Sequence, residues 1–308
     1  MNKLHIGIIG MGVISHYYVK GFETVPECAL VAVCDLDDRK LIEHRAAGRR
    51  CYGDYKDMLR DPAVQAVVIN LPNHLHHEVC LQALHAGKHV CCEKPLTLDL
   101  DEARGLSRLA RERSLTLLTA FHRRYNRPLG VAVAQGVFDK ASAITAHYDE
   151  RIEDHSGADG WYLDPHACGG GCIADNGPNV FDALAFALGP LSLRHVTARC
   201  DAAGVDRGAE IELRTADCRL VRAFLSWDYA QGERKDLIAH HAGGSSTRVD
   251  MLAGSVGFKT SLYHEYEGVL RHLHDAVFRR PEHGEGGVDA VRLVAECYAQ
   301  LRAQAVAA

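Results

Sequence analysis

Short apolar runs alternate with amphipathic stretches through the first 121 residues, and that alternation admits few architectures. Residues 4–9, 30–34, 65–71, 88–92 and 115–121 read as buried strands. Helical periodicity runs from residue 15 to about 25, over 75–85 and over 99–112. Strand–helix units repeated at this spacing predict a parallel, doubly wound sheet. The run Leu98-Asp99-Leu100-Asp101-Glu102 supplies the acidic first turn expected of a helix start.

The first strand leads into Gly10-Met11-Gly12-Val13-Ile14-Ser15. Two glycines there suit a tight turn and the close approach of a pyrophosphate to backbone. Ser15 stands where the dinucleotide fingerprint prefers glycine or alanine. Asp35 ends the second strand, 23 residues beyond Gly12. A carboxylate in that position accepts hydrogen bonds from ribose hydroxyls and repels a 2′-phosphate, which favours NAD over NADP. It is equally placed to cap the helical segment after it.

Composition narrows the partners. A formal charge of -5 with no long basic run gives no electrostatic reason to expect nucleic acid. No apolar stretch reaches the ~20 residues of a membrane span. The strand pattern starts at residue 4, which leaves no room for a signal peptide, so a cytoplasmic location is expected. Eleven cysteines without a CxxC pair read as buried thiols of a reducing compartment.

After Phe121 the pattern changes. Residues 141–151, 191–201, 209–215, 219–229, 234–241 and 246–252 alternate like half-exposed strands, which predicts an open, mostly antiparallel sheet. Amphipathic helices are expected over 263–278 and 288–303. The reading is an N-terminal Rossmann α/β domain over 1–122 and a C-terminal α+β domain over 123–308 for substrate and oligomer contacts.

Three blocks then carry a specific resemblance: Leu71-Pro72-Asn73-His74-Leu75-His76, Ala83-Leu84-His85-Ala86-Gly87-Lys88-His89-Val90, and Glu93-Lys94-Pro95. In this order after a glycine loop they resemble the Gfo/Idh/MocA oxidoreductases, which include glucose–fructose oxidoreductase and inositol dehydrogenase. The second half adds Gly169-Gly170-Gly171 followed by Asp175-Asn176-Gly177-Pro178-Asn179-Val180-Phe181-Asp182, similar to the family's triple glycine and Asp-x-Gly-x-His-x-x-Asp signature. Asn179 departs from the histidine that many members carry.

The resemblance implies an NAD-dependent oxidoreductase that moves a hydride between nicotinamide and a carbinol or ketone of a sugar, cyclitol or related polyol. Lys94 would accept or donate the hydroxyl proton, with Asp175 and Asn179 completing the catalytic set. Cofactor contacts are expected from Gly10, Gly12, Val13, Ile14, Asp35, Leu71, Pro72, Asn73, His76, Glu93 and Lys94. Substrate contacts are expected from Lys94, Tyr162, His166, Asp175 and Asn179. An amide exchanges no proton near neutral pH, so Asn179 can only hydrogen-bond. Tyr148, Tyr162 and His166 are then candidates for the displaced duty.

Pro178 is best tolerated in a first turn, which puts the start of its helix near Asp175 and aligns Asp175, Asn179 and Asp182 on one face. His74-x-His76-His77 lacks a further ligand at compatible spacing, so no metal is expected. His240-His241 and His272-x-His274 read as exposed polar positions. A sheet with alternating apolar positions predicts a face to be covered by pairing, as a homodimer or homotetramer. Two other readings remain open: an imine or amino-sugar ketone reductase, and a sensor that binds NAD and sugar without turnover.

Overall fold

The computed structural model describes residues 2–155, 160–279 and 287–307. Contacts divide the chain into two units, Met1–Ala120 with Tyr266–Val288, and Phe121–Glu265 with Asp289–Ala308. The first changeover falls between Ala120 and Phe121, and Tyr266–Val288 returns to the first unit, which a division into 1–122 and 123–308 does not include.

In the first unit, chain order runs β1 (Leu4–Ile9), α1 (Ser15–Thr24), β2 (Cys28–Cys34), α2 (Ile42–Ala46), β3 (Arg50–Tyr52), α3 (Tyr55–Arg60), β4 (Ala66–Ile69), α4 (His76–His85), β5 (His89–Cys92), α5 (Leu100–Glu112) and β6 (Leu117–Thr119). The six strands are parallel in the order β3-β2-β1-β4-β5-β6. β4 is buried at every position, as a strand covered on both faces requires. Asp99 caps α5, accepting from the backbone N–H groups of Asp101 and Glu102 at 2.8 and 3.0 Å. β3, α2 and α3 are too short for hydrophobic period to have shown them.

The second unit opens with α6 (Arg127–Ala134), β7 (Ala141–Asp149), α7 (Pro165–Cys168) and α8 (Cys172–Leu188). It continues through β8 (Leu191–Cys200), β9 (Asp206–Thr215), β10 (Leu220–Ser226), β11 (Arg234–His241) and β12 (Ser246–Asp250). The chain closes with α9 (Phe258–Phe278) and α10 (Val288–Ala307); α9 from Tyr266 onward belongs to the first unit. The sheet order is β12-β11-β7-β10-β9-β8, antiparallel except for the parallel pair β10–β7.

The apolar side of this sheet, including Ile144, Ala146, Ile211, Val221, Ala223 and Leu237, packs in one core with Val180, Phe181 and Leu184 of α8 and Leu293 and Cys297 of α10. Its other side carries ion pairs, among them Arg222–Glu212 at 3.1 Å and Arg234, Arg248 and His147 on Asp236. Those donors hold Asp236 down at about 2 despite its burial.

Two further expectations are corrected. α8 begins at Cys172, three residues before Asp175, and Pro178 lies inside it. The first turn is satisfied from elsewhere: Asp206 of β9 accepts from the N–H groups of Gly171 at 3.0 Å and Ile173 at 2.8 Å. Proline then costs the helix only the bond that the carbonyl of Ala174 would have received. His274, expected at the surface, is 3% exposed, and its Nε2 donates to the carbonyl of Asn2 at 2.9 Å.

In the second unit, Glu265 has a fully buried side chain and accepts from His122, from Arg123 at 2.8 Å and from Asn126 at 2.6 Å. Burial pushes the carboxyl up, but the charge of Arg123 leads the groups that hold it below its usual value. A buried carboxylate persists because both of its oxygens meet donors.

Candidate active site

β1 is the strand at which the order of the first sheet reverses, with β2 on one side and β4 on the other. Ligands of such sheets collect beyond the carboxyl ends of the strands at this switch point. The register brings those ends level: Gly10 N donates to Cys34 O, Asn70 N to Ile9 O, and Glu93 N to Ile69 O, all within 2.8–2.9 Å. Gly10, Asp35, Asn70-Leu71 and Glu93-Lys94 thus follow one another along a single sheet edge.

Gly10 has a φ of +91°, and a Cβ there would lie 2.5 Å from the carbonyl oxygen of Asn70, so glycine is required. At Gly12 nothing lies within 4 Å of a Cβ position, and Val13 is 66% exposed. Ser15 replaces the third glycine without loss: it is buried and its hydroxyl donates to Gly12 O at 2.6 Å. Asp35 Oδ2 accepts from Met11 N at 2.8 Å and Oδ1 from Asp37 N at 2.9 Å, with Lys40 Nζ 3.2 Å away. The helical turn at Asp38–Leu41 is capped by Asp37, which accepts from Arg39 N at 3.0 Å, and not by Asp35 as expected; the Asp35 carboxylate braces the glycine loop and the turn after β2.

Asn70 was not singled out from sequence. Both polar atoms of its side-chain amide are buried without a partner among the described residues. An open glycine loop at the start of α1, a carboxylate at the end of β2 and an unpaired amide at the end of β4 fit a dinucleotide.

The other expected cofactor residues divide. Ile14, Leu71 and Pro72 are partly exposed at the same edge, and Asn73 is buried. His76 is fully buried, with Nδ1 2.6 Å from Pro95 O and Nε2 2.8 Å from Leu71 O. Burial pushes its imidazole below the usual value, against the pull of the two carbonyls. With both nitrogens engaged it ties the loop after β4 to the turn after β5.

The Glu93 side chain also turns inward. Tyr18 Oη donates to its Oε1 at 3.1 Å, while its Oε2 accepts from Lys94 N at 3.3 Å. Burial pushes this carboxyl up to about 7, against the charge of Lys94 and the hydroxyls of Tyr18 and Tyr266. Lys94 itself is partly exposed at the end of β5, and the Lys94–Pro95 peptide is cis.

A carboxyl raised on folding is tolerated best when protonated. Unfolded, Glu93 titrates near 4.5; folded, near 7. The two states bind its proton alike below pH ~4.5, and the penalty for ionising it grows until pH ~7, to on the order of 3 kcal/mol. Glu93→Gln keeps an acceptor for Tyr18. It is expected to raise the melting temperature relative to the wild type at pH 8 and to change it little at pH 4.5. Equal shifts at both values would contradict this.

In the second unit the triple glycine is explained residue by residue. Gly169 closes α7 with φ +94°. A Cβ on Gly170 (φ +143°) would lie 2.7 Å from Tyr298 Cζ, and one on Gly171 2.8 Å from the carbonyl carbon of Asp206. Tyr298 Oη donates to Asp206 Oδ1 at 2.8 Å, and Gly171 N donates to Tyr298 Oη at 3.1 Å. This knot sets the first turn of α8 and hence the place of Asp175. Asp206 and Tyr298 left no sequence signal, because only strand register and the final helix bring them to Gly171.

Asp175, Asn179 and Asp182 are each 3–5% exposed on α8. Asp182 receives Arg124 at 2.7 Å; burial pushes its carboxyl up to about 6 while Arg124 pulls it down. Asn179 Nδ2 donates to Tyr148 Oη at 3.4 Å, and its Oδ1 is buried without a partner among the described residues. Tyr162 stacks on Trp161 with ring centroids 3.8 Å apart, and His166 is exposed on α7. Of the three candidates for the duty that asparagine cannot perform, Tyr148 is hydrogen-bonded to Asn179.

All eleven cysteines are free thiols, most of them buried. Among the described residues no helix is long and apolar enough to cross a membrane.

Residues 4–121 match the model of the oxidoreductase family with an NAD-binding Rossmann fold, and residues 129–247 match the GFO/IDH/MocA C-terminal domain. The chain is 31% identical over 220 residues to an oxidoreductase, ORF334, of Rhizobium meliloti, covering 67% of this chain and 63% of that protein. It is 36% identical over 136 residues to the 1,5-anhydro-D-fructose reductase of Ensifer adhaerens, covering 43% and 40%. With the D-glucoside 3-dehydrogenase of Escherichia coli it shares 30% identity over 205 residues, covering 64% and 57%. The chain thus spans between 40% and 63% of the length of these relatives.

Among solved structures, GenD2 from gentamicin A biosynthesis in complex with NAD superposes with a TM-score of 0.85 at 22% identity, over 99% of this chain and 95% of that one. Levoglucosan dehydrogenase in complex with NADH and levoglucosan gives 0.82 at 16%, over 100% and 98%. At such identities the likeness establishes the fold. With the glycine loop, the Glu-Lys-Pro turn and both matched domains in agreement, the chain belongs to the Gfo/Idh/MocA family of NAD-binding oxidoreductases.

Proposed function

We propose that this protein oxidises a carbinol of a sugar, cyclitol or related polyol, or reduces the matching ketone, with Lys94 as the group that takes or gives the hydroxyl proton. The observation that carries this reading is the place of Lys94 at the end of β5, on the same sheet edge as Gly10, Asp35 and Asn70. Gly10, Gly12, Val13, Ile14, Asp35, Asn70, Leu71 and Pro72 would hold NAD there, and bound nicotinamide supplies the acceptor or donor of hydride.

Lys94 binds the reacting oxygen, taking its proton as a neutral amine in oxidation and returning one as an ammonium in reduction. Glu93 and His76 act behind it, fixing the strand end and the turn that carry it. Asp175 and Asn179 bind further hydroxyls of the substrate. Formation of NADH on a panel of hexoses, cyclitols and their keto forms tests the reading; no turnover with any of them would reject it. Tight NAD and sugar binding without turnover would instead support the sensor.

Cofactor choice gives a separate test. Asp35→Ser removes the charge that opposes a 2′-phosphate and leaves Lys40 and Arg39 close by in sequence. It is expected to raise the kcat/KM ratio of NADP over NAD on the order of tenfold. An unaltered ratio would mean that Asp35 serves only the loop.

A further inference from the structure

Two buried glutamates of this chain meet different donors. Burial works against the charge of Glu265, but the Arg123 guanidinium, 2.8 Å away, leads the groups that hold it below its usual value. Glu93 instead accepts from neutral groups: Tyr18 Oη at 3.1 Å, the Tyr266 hydroxyl and the backbone N–H of Lys94 at 3.3 Å. Its burial outweighs the charge of Lys94, and the carboxyl is pushed up to about 7. Tyr18 of α1 and Cys91 and Cys92 of β5 sense its charge, and burial pushes all three up, so they stay neutral near that pH. Glu93 is thus a group whose charge is undecided near neutrality, enclosed by donors that serve either form.

Strand order says which end of a dinucleotide lies toward Glu93. Across the first sheet the order is β3-β2-β1-β4-β5-β6. Asp35, which follows β2, suits the ribose of the adenosine half, and the glycine loop after β1 suits the pyrophosphate. A dinucleotide laid along this edge therefore carries its other half toward β4 and β5. Asn70, whose amide lacks a partner among the described residues, follows β4, and Glu93 follows β5.

That other half bears the nicotinamide ring, positive when oxidised and neutral when reduced. A positive charge on that side favours an ionised carboxyl, and a neutral ring does not. The diphosphate and both riboses are common to the two forms, so their influence on Glu93 cancels when the forms are compared.

We infer that Glu93 is a proton-linked sensor of the cofactor's oxidation state, giving up its proton to solvent when NAD binds and keeping it when NADH binds. The carboxylate then balances the charge of the oxidised ring, and NAD is held more tightly relative to NADH as the pH rises. The step is an acid dissociation alone, with no bond formed to cofactor or substrate. It rests on the NAD cradle named above and is independent of which substrate is turned over.

Calorimetric titration at pH 7 in buffers of different ionisation enthalpy counts the protons exchanged on binding. The wild type is expected to release about 0.4 proton more per NAD than per NADH, the amount given by a tenfold change in proton affinity at Glu93. The ratio of the NAD to the NADH dissociation constant is expected to fall about fivefold between pH 6 and pH 8.5, as the form that binds NAD better becomes fully populated. Glu93→Gln keeps the acceptor for Tyr18 and is expected to abolish the excess proton and flatten the ratio.

Lys94→Gln separates out the neighbouring ammonium. Without that charge Glu93 holds its proton more firmly, so the excess release is expected to persist and to move to higher pH. Difference infrared spectra give a readout in the unaltered protein. The carbonyl band of the protonated carboxyl, assigned by its absence in Glu93→Gln, is expected to shrink when NAD is added at pH 7 and to stay with NADH. Release retained in Glu93→Gln but lost in Lys94→Gln would give the proton to Lys94 and overturn the inference. Equal proton counts for NAD and NADH would overturn it and leave the dinucleotide cradle standing, whereas failure to bind either would reject both.

Discussion

Lys94→Ala is expected to lower kcat by about 10²- to 10⁴-fold on the polyol substrate while the dissociation constant for NADH changes less than about threefold. The argument is positional. Lys94 follows β5 at the sheet edge where the glycine loop and Asp35 gather, and on the proposed reading the backbone of that edge shapes the dinucleotide cradle. Removing the side chain leaves the Glu93 N–H to Ile69 carbonyl bond and the His76 bridge between Leu71 and Pro95 in place. Stopped-flow turnover and NADH fluorescence titration measure the two quantities separately. Turnover within a few-fold of wild type would reject Lys94 as the proton-handling group, and a parallel loss of NADH binding would assign it to the cofactor.

Gly171→Ala is expected to destabilise the second unit by about 4 kcal/mol or more, enough to lower its melting temperature by about 10 °C. The φ of -109° at 171 is negative, so a left-handed backbone is not the obstacle there. Space is what fails, because the added methyl meets the backbone of Asp206. Backbone cannot swing aside as a side-chain tip can, so either the first turn of α8 or the start of β9 must move. Gly53→Ala is the control: nothing lies within 4 Å of its Cβ position, and a change of a few tenths of a kcal/mol is expected. Thermal melts of both variants decide it. A fall for Gly171→Ala no larger than for Gly53→Ala would mean that the glycine knot is dispensable.

Periodicity made most of the strands and long helices legible, since β1, β5 and β11 bury their side chains in patterns that composition alone displays. The three-residue β3 is too short to have a period. The start of α8 was misplaced because Pro178 was weighed on local grounds, whereas Asp206, far along the chain, satisfies the N–H groups that open the helix. His274 looked like a surface residue because nothing local shows that Asn2 waits for its proton.

The same limit applies to the candidate site. Gly10, Asp35, Lys94 and Asp175 stood out because their motifs are contiguous. Asn70, Asp206 and the Tyr148–Asn179 pair exist only through strand register. His76 and Glu93 were found by motif, but their inward hydrogen bonds were not, since a motif names a residue without saying which way its side chain turns.

The return of α9 to the first unit bears on how the chain comes into being. Tyr266 stacks on Tyr17 with centroids 5.7 Å apart and meets Tyr18 edge-on at 4.7 Å, and Leu270 fills the space above Gly21. None of this surface can be covered until Phe121–Glu265 has left the ribosome. The nucleotide-binding half therefore emerges first but matures late, holding its tyrosine-lined flank open while the other half is translated. A fragment ending at residue 122 would keep that flank open permanently, so the sheet that reads most clearly as a free-standing domain is the one that cannot be excised by a single cut.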